Sequence, residues 1–385
     1  MKENLSGYVR KDGRVGFRNH LLILPLTACV GDIARRIAQN VPDTTYFTHG
    51  NGCDLFGADF ELFGDILEHF AIHSNIGGVL FLSMGCAATL QLHLPNKVKE
   101  TGRLVENINM QMCGGTTKTI EVGTVIAKQM VEHLSQESRK AVPFSSLIIG
   151  TKCGASDKNT FEYCNPIVGR TCDLLVNKGA TVVLSEDCEL YAASEILAQR
   201  AVNQEISDRI RAMAKQIRQY WLDRFNIDFA DLKVQGVDSY EDWIKQSLAR
   251  AAKAGTSPIR GFFDMKERVQ GPGLVILNAP NTDLESMTCL AAAGCNITLF
   301  TTGRGTPLGS PASITVKITA TEKTYKNMKE NIDICVADVI DGGETIDQAA
   351  ERIFDRVVAY ANGEKTSAEV LGHYEVAVPI RGVTF

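Results

Sequence analysis

Several features that would define a function class are missing from this chain of 385 residues. No apolar run approaches the roughly 18 residues that a membrane-spanning helix needs. The opening stretch Met1-Lys-Glu-Asn-Leu-Ser6 carries no apolar signal core, so the expected compartment is the cytoplasm. There is no excess of basic charge: 40 Lys and Arg stand against 45 Asp and Glu, a net charge of −5. That balance argues against a nucleic acid or an anionic membrane as partner. No Cys-x-x-Cys occurs, which removes the usual basis for a thiol redox protein. There is no internal repeat and no low-complexity tract.

Cysteine itself is not scarce. Eleven thiols without a signal sequence point to metal or structural cysteines rather than disulfides. Three lie in short glycine-bearing segments: His49-Gly-Asn-Gly-Cys53, Met84-Gly-Cys86 and Thr151-Lys-Cys-Gly-Ala-Ser-Asp157. Glycine flanks let backbone approach a bound group closely. Three thiolates on strand-end loops could converge on one metal or cluster and leave a coordination position open for chemistry. The plainer alternative is that a buried cysteine is simply a small hydrophobe.

Strand-like runs alternate with helical patterns. Leu21–Leu26, Val79–Leu82, Ser146–Ile149, Thr181–Leu184, Gly273–Leu277, Ile297–Phe300 and Ile314–Ile318 read as short buried strands. Helical spacing covers Ile33–Asn40, Phe60–His73, Lys118–Leu134, Pro166–Lys178 and Ala349–Asn362. The alternation predicts an α/β fold of two lobes with mainly parallel, Rossmann-like sheets flanked by helices. The lobes are expected at residues 1–140 and 141–385, with Arg139–Pro143 as a linker and the site in the cleft. Ligands in such folds bind at the carboxyl ends of the strands, where Cys86 and Cys153 would stand. Within Gln204–Phe225, the residues Ile206, Ile210, Met213, Ile217 and Trp221 predict a long amphipathic helix. A second helix is expected over about Tyr240 to Ala254.

The opening Gly7-Tyr-Val-Arg-Lys-Asp-Gly-Arg-Val-Gly-Phe-Arg-Asn19 resembles the start of the large catalytic region in the altronate/galactarate dehydratase family. The resemblance continues in order through the three cysteine segments, Gly114-Gly-Thr-Thr-Lys-Thr119, Asn165-Pro166, Leu184-Ser-Glu186, Lys253-Ala-Gly255, Ala292-Ala-Gly294, Phe300-Thr-Thr-Gly-Arg-Gly-Thr-Pro307, Ile334-Cys335 and Gly363-Glu-Lys-Thr366. The length and Leu371-Gly-His373 are also similar to the large subunit of sulfolactate sulfo-lyase. The resemblance implies an iron-dependent hydro-lyase that dehydrates a small hydroxy acid of the sugar-acid type. It leaves as alternatives a carbon–sulfur lyase on a sulfonated hydroxy acid and a non-catalytic subunit that kept the fold. Family members carry a small β-rich domain that has no counterpart here, so a separate small subunit is expected, together with a homo-oligomer.

For metal, the expected ligands are Cys53, Cys86 and Cys153, with Cys335 in reserve. They would hold iron as a [4Fe–4S] cluster, the favoured form, or as a single Fe²⁺ with help from His49 or Asp157. The expected substrate-binding set is Arg14, Arg18, Asn19, Gly114, Gly115, Thr116, Lys118, Asp157, Gly303 and Arg304. An arginine fork matches a carboxylate, and the Gly114–Lys118 turn offers amides at a helix start. The candidates for base chemistry are Lys152, Glu186, Glu189 and His49, with Tyr191 nearby; burial is expected to lower the Lys152 pKa. One departure stands out. Where the family has a glycine-rich loop before a helix, this chain has Asp238-Ser-Tyr-Glu-Asp242. Asp238 and Ser239 look like helix caps, with Glu241 or Asp242 completing a capping box. Those acids would repel a second substrate carboxylate, which favours a monoanionic hydroxy acid.

Overall fold

The computed structural model describes residues 4–85, 88–228, 231 and 239–380. Cys86 and Asp238 therefore lie outside the described residues. In chain order the strands are β1 (Leu5–Val9), β2 (Val15–Gly16), β3 (His20–Pro25), β4 (Thr44–Tyr46), β5 (Ile76–Ser83), β6 (Leu104–Asn109), β7 (Lys140–Val142), β8 (Ile148–Gly154), β9 (Thr181–Leu184), β10 (Ile259–Asp264), β11 (Gly273–Asn278), β12 (Ile297–Thr302), β13 (Ile314–Thr319) and β14 (Ile334–Cys335). They form a parallel sheet of four strands ordered β4-β3-β5-β6 and a parallel sheet of seven ordered β10-β11-β9-β8-β12-β13-β14. The α/β expectation holds. Every residue of β5, β9, β12 and β13 is buried, which is why these segments read as unbroken apolar or Thr-rich runs rather than alternating ones.

The third sheet, β2-β1-β7, is small and antiparallel. It uses the stretch expected as a linker: Lys140–Val142 pairs with Leu5–Gly7. Leu5 and Phe17 pack into the same apolar cluster as Ile149 and Leu184 of the large sheet, so the first residues of the chain belong to its core. The amphipathic helix forms over Gln204–Phe225, with Asn203 capping it through Ile206 N at 2.9 Å and Ile206, Ile210, Met213 and Ile217 buried. Among the described residues, no helix is long and apolar enough to cross a membrane.

The two parallel sheets are joined at their amino edges. Asn75, fully buried just before β5, accepts from Phe17 N at 2.7 Å and Arg18 N at 3.3 Å. Its amide donates to the carbonyls of Asn296, just before β12, and Ala312, just before β13, at 2.9 and 2.7 Å. A second tie comes from the C-terminal region: Glu369 accepts from Arg18 at 2.6 and 2.9 Å and lies 3.9 Å from His20.

Two outcomes test this seam. Asn75→Ala removes the partner of the Phe17 and Arg18 amides and of the Ala312 carbonyl, while the Asn296 carbonyl keeps Ile314 N, and should cost about 3 kcal/mol or more, read as a lower urea midpoint. Burial would raise the Glu369 carboxyl, but its bonds to His20 and Arg18 hold it well below the ordinary value of 4.5. A depressed carboxyl contributes stability that is complete above the unfolded value and is lost as pH falls through the folded one. The stability gap between wild type and Glu369→Gln should therefore be widest near neutrality and close progressively below about pH 4.5.

Candidate functional site

The carboxyl ends of the central strands β8 and β9 bring together a compact charged group. Lys152 and Cys153 sit on β8 itself, which runs on to Gly154 instead of ending at Ile149. Glu186 follows β9, at the start of the Asp187–Leu190 helix. Lys253 comes from a short turn after the Tyr240–Ala251 helix, and Asp283 opens the Asp283–Ala292 helix. Lys152 Nζ donates to Glu186 Oε1, to the Cys153 carbonyl at 2.8 Å and to the Asn281 carbonyl at 3.1 Å, and lies 2.9 Å from Asp283. Lys253 Nζ takes the other carboxylate oxygen, 2.5 Å from Glu186 Oε2, and stands 3.4 Å from Cys153 Sγ. The Cys153 thiol is 3.5 Å from Glu189 Oε2, and Glu189 in turn is 3.4 Å from Arg250 Nε. Arg250 lies over the Phe161 ring.

Lys152, Glu186 and Lys253 are shut off from solvent. Glu186 adopts a left-handed backbone, φ 85° and ψ 66°, which costs a non-glycine residue about 1–3 kcal/mol. Such strain persists where the surroundings hold it, and here two ammonium groups do so. Burial would pull Lys152 down, as the sequence suggested, but the facing charges of Glu186, Cys153 and Asp283 outweigh it and hold the ammonium above its ordinary value. Burial also opposes the charged form of Lys253, and Cys153 and Glu186 raise it. Glu186 resists the upward push of burial because Lys152 and Lys253 hold it ionised. Burial and the neighbouring Glu186 raise Glu189, and burial followed by Glu189 pushes the Cys153 thiol up to about 12.

Cys153, Glu186 and Glu189 place one ligand atom each within 4.8 Å of one another, the group of three that could hold a metal ion among the described residues. One thiolate and two carboxylates form a mixed soft and hard donor set, which fits a single borderline divalent ion. With Asp283, the four negative groups would balance two ammonium groups and such an ion. A second cysteine is not part of the group. Cys53 is exposed on a different loop, and Cys86 lies outside the described residues. Cys335 ends β14, three strand spacings from β8, or roughly 14 Å.

The other expected residues are scattered. Both nitrogens of His49 are engaged, by the Pro25 carbonyl at 2.9 Å and by Asn51 N at 3.3 Å, and burial lowers its pKa. Tyr191 packs on Trp243, ring centroids 5.3 Å apart, and burial raises its hydroxyl pKa. Arg14 pairs with Asp12. Arg18 spends its donors on Glu369 and on the carbonyls of Phe17, Tyr360 and Glu364. Asn19 bridges Arg10 and the Leu134 carbonyl. Of these three, Arg18 serves the seam. Asp157 caps its own helix through Thr160 and accepts from Thr321 at 2.7 Å. Gly303 allows that approach, since a Cβ there would stand 2.4 Å from the Asp157 carboxyl carbon. Arg304 is exposed and makes no hydrogen bond or ion pair among the described residues. Gly114 and Gly115 have positive φ and open space around them, and they lead into the helix that starts at Thr116; Lys118 is exposed and pairs with Glu121.

Sequence reasoning passed over Lys253, Asp283 and Arg250. The signal for Lys253 was present, since Lys253-Ala-Gly255 belongs to the motif series, but its 100-residue separation from Cys153 hid the contact. The acidic substitution also reads differently in three dimensions. Ser239 caps the Tyr240–Ala251 helix and bonds Asp242 reciprocally, while Glu241 and Asp242 pair with Lys245. They stand roughly 15 Å along the helix from Arg250 and Lys253, so they do not face this cluster.

In a doubly wound sheet ligands bind at the carboxyl ends of the strands, which is where the paired ammonium and carboxylate groups gather. The chain matches the family model "D-galactarate/Altronate dehydratase, C-terminal" over residues 144–384, and "D-galactarate dehydratase/Altronate hydrolase, second domain" over 7–135. It is similar to altronate dehydratase of Bacillus subtilis (31% identity, 98% of this chain, 78% of that one) and of Escherichia coli (30%, with the same coverage). It is also similar to the (2R)-sulfolactate sulfo-lyase subunit beta of Chromohalobacter salexigens, at 29% identity over 96% of this chain and 95% of that one. The chain belongs to the D-galactarate/altronate dehydratase family, and it is a lyase.

Replacing Glu186 by Gln removes the shared counter-ion of two buried ammonium groups. The expected cost is about 3–5 kcal/mol, measured by urea unfolding at pH 7. An unchanged midpoint would mean that the lysines are not held as a charged pair.

Proposed function

We propose that this chain is the catalytic part of an iron-dependent hydro-lyase that removes water from a small, altronate-like hydroxy acid. The observation that carries the reading is the pair of ammonium groups on Glu186, closed off from solvent beside the Cys153 and Glu189 donors. Dehydrating a 2,3-dihydroxy acid removes a weakly acidic proton next to a carboxylate and expels hydroxide. Negative charge builds up in both events. Cys153, Glu186 and Glu189 would hold a single Fe²⁺, which when bound supplies Lewis acidity toward the departing oxygen. A three-thiolate cluster would instead require Cys53 and Cys86 to join Cys153.

Lys253 Nζ holds the substrate carboxylate and takes up the charge that spreads onto it as the proton leaves. Lys152 Nζ is the base. It stays charged only because anionic groups face it, with burial acting in the opposite direction. In its neutral form, which burial favours, the amine takes the C2 proton. Asp283, part-exposed and 2.9 Å away, passes that proton to water. Loss of the C3 hydroxyl gives an enol, which becomes the 2-oxo-3-deoxy acid.

A second reading is a carbon–sulfur lyase acting on a sulfonated hydroxy acid, with sulfite leaving in place of hydroxide. It is favoured by the near-complete coverage of the sulfo-lyase beta subunit, against 78% of the altronate dehydratases. The word subunit in that relative's name supports a separate small β-rich partner. A cytoplasmic homo-oligomer is part of the proposal.

The test is anaerobic purification, iron and sulfide assay, and a panel of hydroxy acids followed by 2-oxo acid and sulfite release. Lys152→Met should lower kcat about a thousandfold while iron content stays unchanged, whereas Cys153→Ser should strip the iron. A Lys152→Met enzyme within tenfold of wild type would sink the base assignment, and iron-free enzyme at full rate would sink the metal.

A further inference from the structure

A cavity of about 410 Å³ opens at the amino edge of the four-stranded sheet, beside Gly77 at the start of β5 and Arg103 just before β6. Its lining shares no residue with the Lys152–Glu186 cluster. Three stretches distant in sequence build it: Tyr8–Lys11 of the opening hairpin, Thr101–Arg103, and Gln136–Ser138 with Lys140. Arg10, Lys11, Arg103 and Lys140 bring positive charge, against the carboxylate of Glu137. The two arginines are buried and spend hydrogen bonds on the fold. Arg10 donates to the carbonyls of Ser74 and Arg18 at 2.8 and 3.0 Å, and Arg103 to those of Ile72 and Ile76 at 2.7 and 3.2 Å. Carbonyls satisfy donors but carry no net charge. The carboxylates at hand are Glu137, exposed and 3.3 Å from Arg10, and Asp12, which Arg103 shares with Arg14. Burial lowers both arginine pKa values, that of Arg103 to about 10, and these carboxylates do not make up the difference. The ammonium groups of Lys11 and Lys140 make no hydrogen bond or ion pair among the described residues. Lys11 is laid along the cavity wall, because its chain crosses Gly102, where a Cβ would overlap it and stand 3.1 Å from Nζ.

We propose that this cavity binds a phosphoryl dianion, with Lys11 and Lys140 as its direct partners and Arg10 and Arg103 supplying positive charge behind them. A phosphoryl group carries about −1.5 to −2 charge near neutrality and three acceptor oxygens. Lysine ammonium binds phosphate as a point charge. The buried guanidinium groups add to the attraction where little water lies between. The volume leaves room for an organic group beyond the phosphoryl oxygens. Bound there, the anion ties the opening hairpin to the four-stranded sheet and to the stretch after the Thr116–Leu134 helix. The site lies at the amino edge, away from the strand ends where ligands of a parallel sheet react, and it does not depend on the reaction proposed above.

The test is calorimetric titration of the full chain at fixed ionic strength, with inorganic phosphate and, separately, ribose 5-phosphate. It compares wild type, the double variant Lys11→Gln/Lys140→Gln, and Glu137→Gln. Both lysines are exposed, so the double variant should keep the wild-type urea midpoint in chloride. Binding should saturate. Each exposed charge is worth about threefold, so the double variant should weaken binding about tenfold. Glu137→Gln removes the opposing carboxylate and should tighten binding about threefold. Tighter binding of ribose 5-phosphate marks a phosphorylated metabolite and tighter binding of inorganic phosphate marks the free ion; both support the proposal. A titration that does not saturate, or that potassium chloride reproduces, overturns it. An affinity that the double variant changes by less than threefold puts the anion elsewhere and overturns it as well.

Discussion

Two ammonium groups and one carboxylate, out of contact with water, set the terms for this site. An unpaired charge in such a place costs several kcal/mol, and removing one partner leaves that cost exposed. Lys152 comes from a strand, Glu186 from the turn after the next strand, and Lys253 from a helix end 100 residues downstream of Cys153. Each must arrive within hydrogen-bond distance for the others to be tolerated. The left-handed conformation of Glu186 follows from the same demand. Its backbone bends where glycine would be at ease, because the side chain is needed between the two lysines. The cluster therefore couples the core of the large sheet to its chemistry.

Asn75 plays the corresponding part in overall architecture. One amide side chain satisfies two backbone donors of the opening segment and two carbonyls that precede β12 and β13. The contact joins the amino edges of the two parallel sheets. Arg18, from a motif that resembles a substrate-binding one, holds this frame together.

What could be read in the sequence was what depends on local pattern. Buried parallel strands announce themselves as apolar runs, and the Gln204–Phe225 helix appeared within its expected limits because its apolar spacing leaves no other period. The pairing of Lys140–Val142 with Leu5–Gly7 was not readable, since three exposed or half-buried residues carry no alternation. Nor does an arginine in a motif disclose whether its fork will meet a ligand or a main-chain carbonyl. Arg14, Arg18 and Arg304 look alike in sequence, yet one pairs locally, one is a buried staple and one stands free on the surface among the described residues. Lys152 was found, but its charge was misjudged, because the effect of burial was legible and the opposing carboxylate 34 residues away was not.

The same limit applies to the acidic stretch after the Gln204–Phe225 helix. In sequence it takes the place of a glycine-rich loop and looks like an obstacle to an anion. In space Glu241 and Asp242 pair with Lys245 at the exposed start of a helix whose other end carries Arg250 and Lys253. Charge acts over a few ångströms when water lies between and over much more when it does not. The carboxylates that can discriminate between substrates are therefore those sharing a partly enclosed space with the reacting group. The exposed pair at the helix start does not meet that condition for the Lys152–Glu186 group.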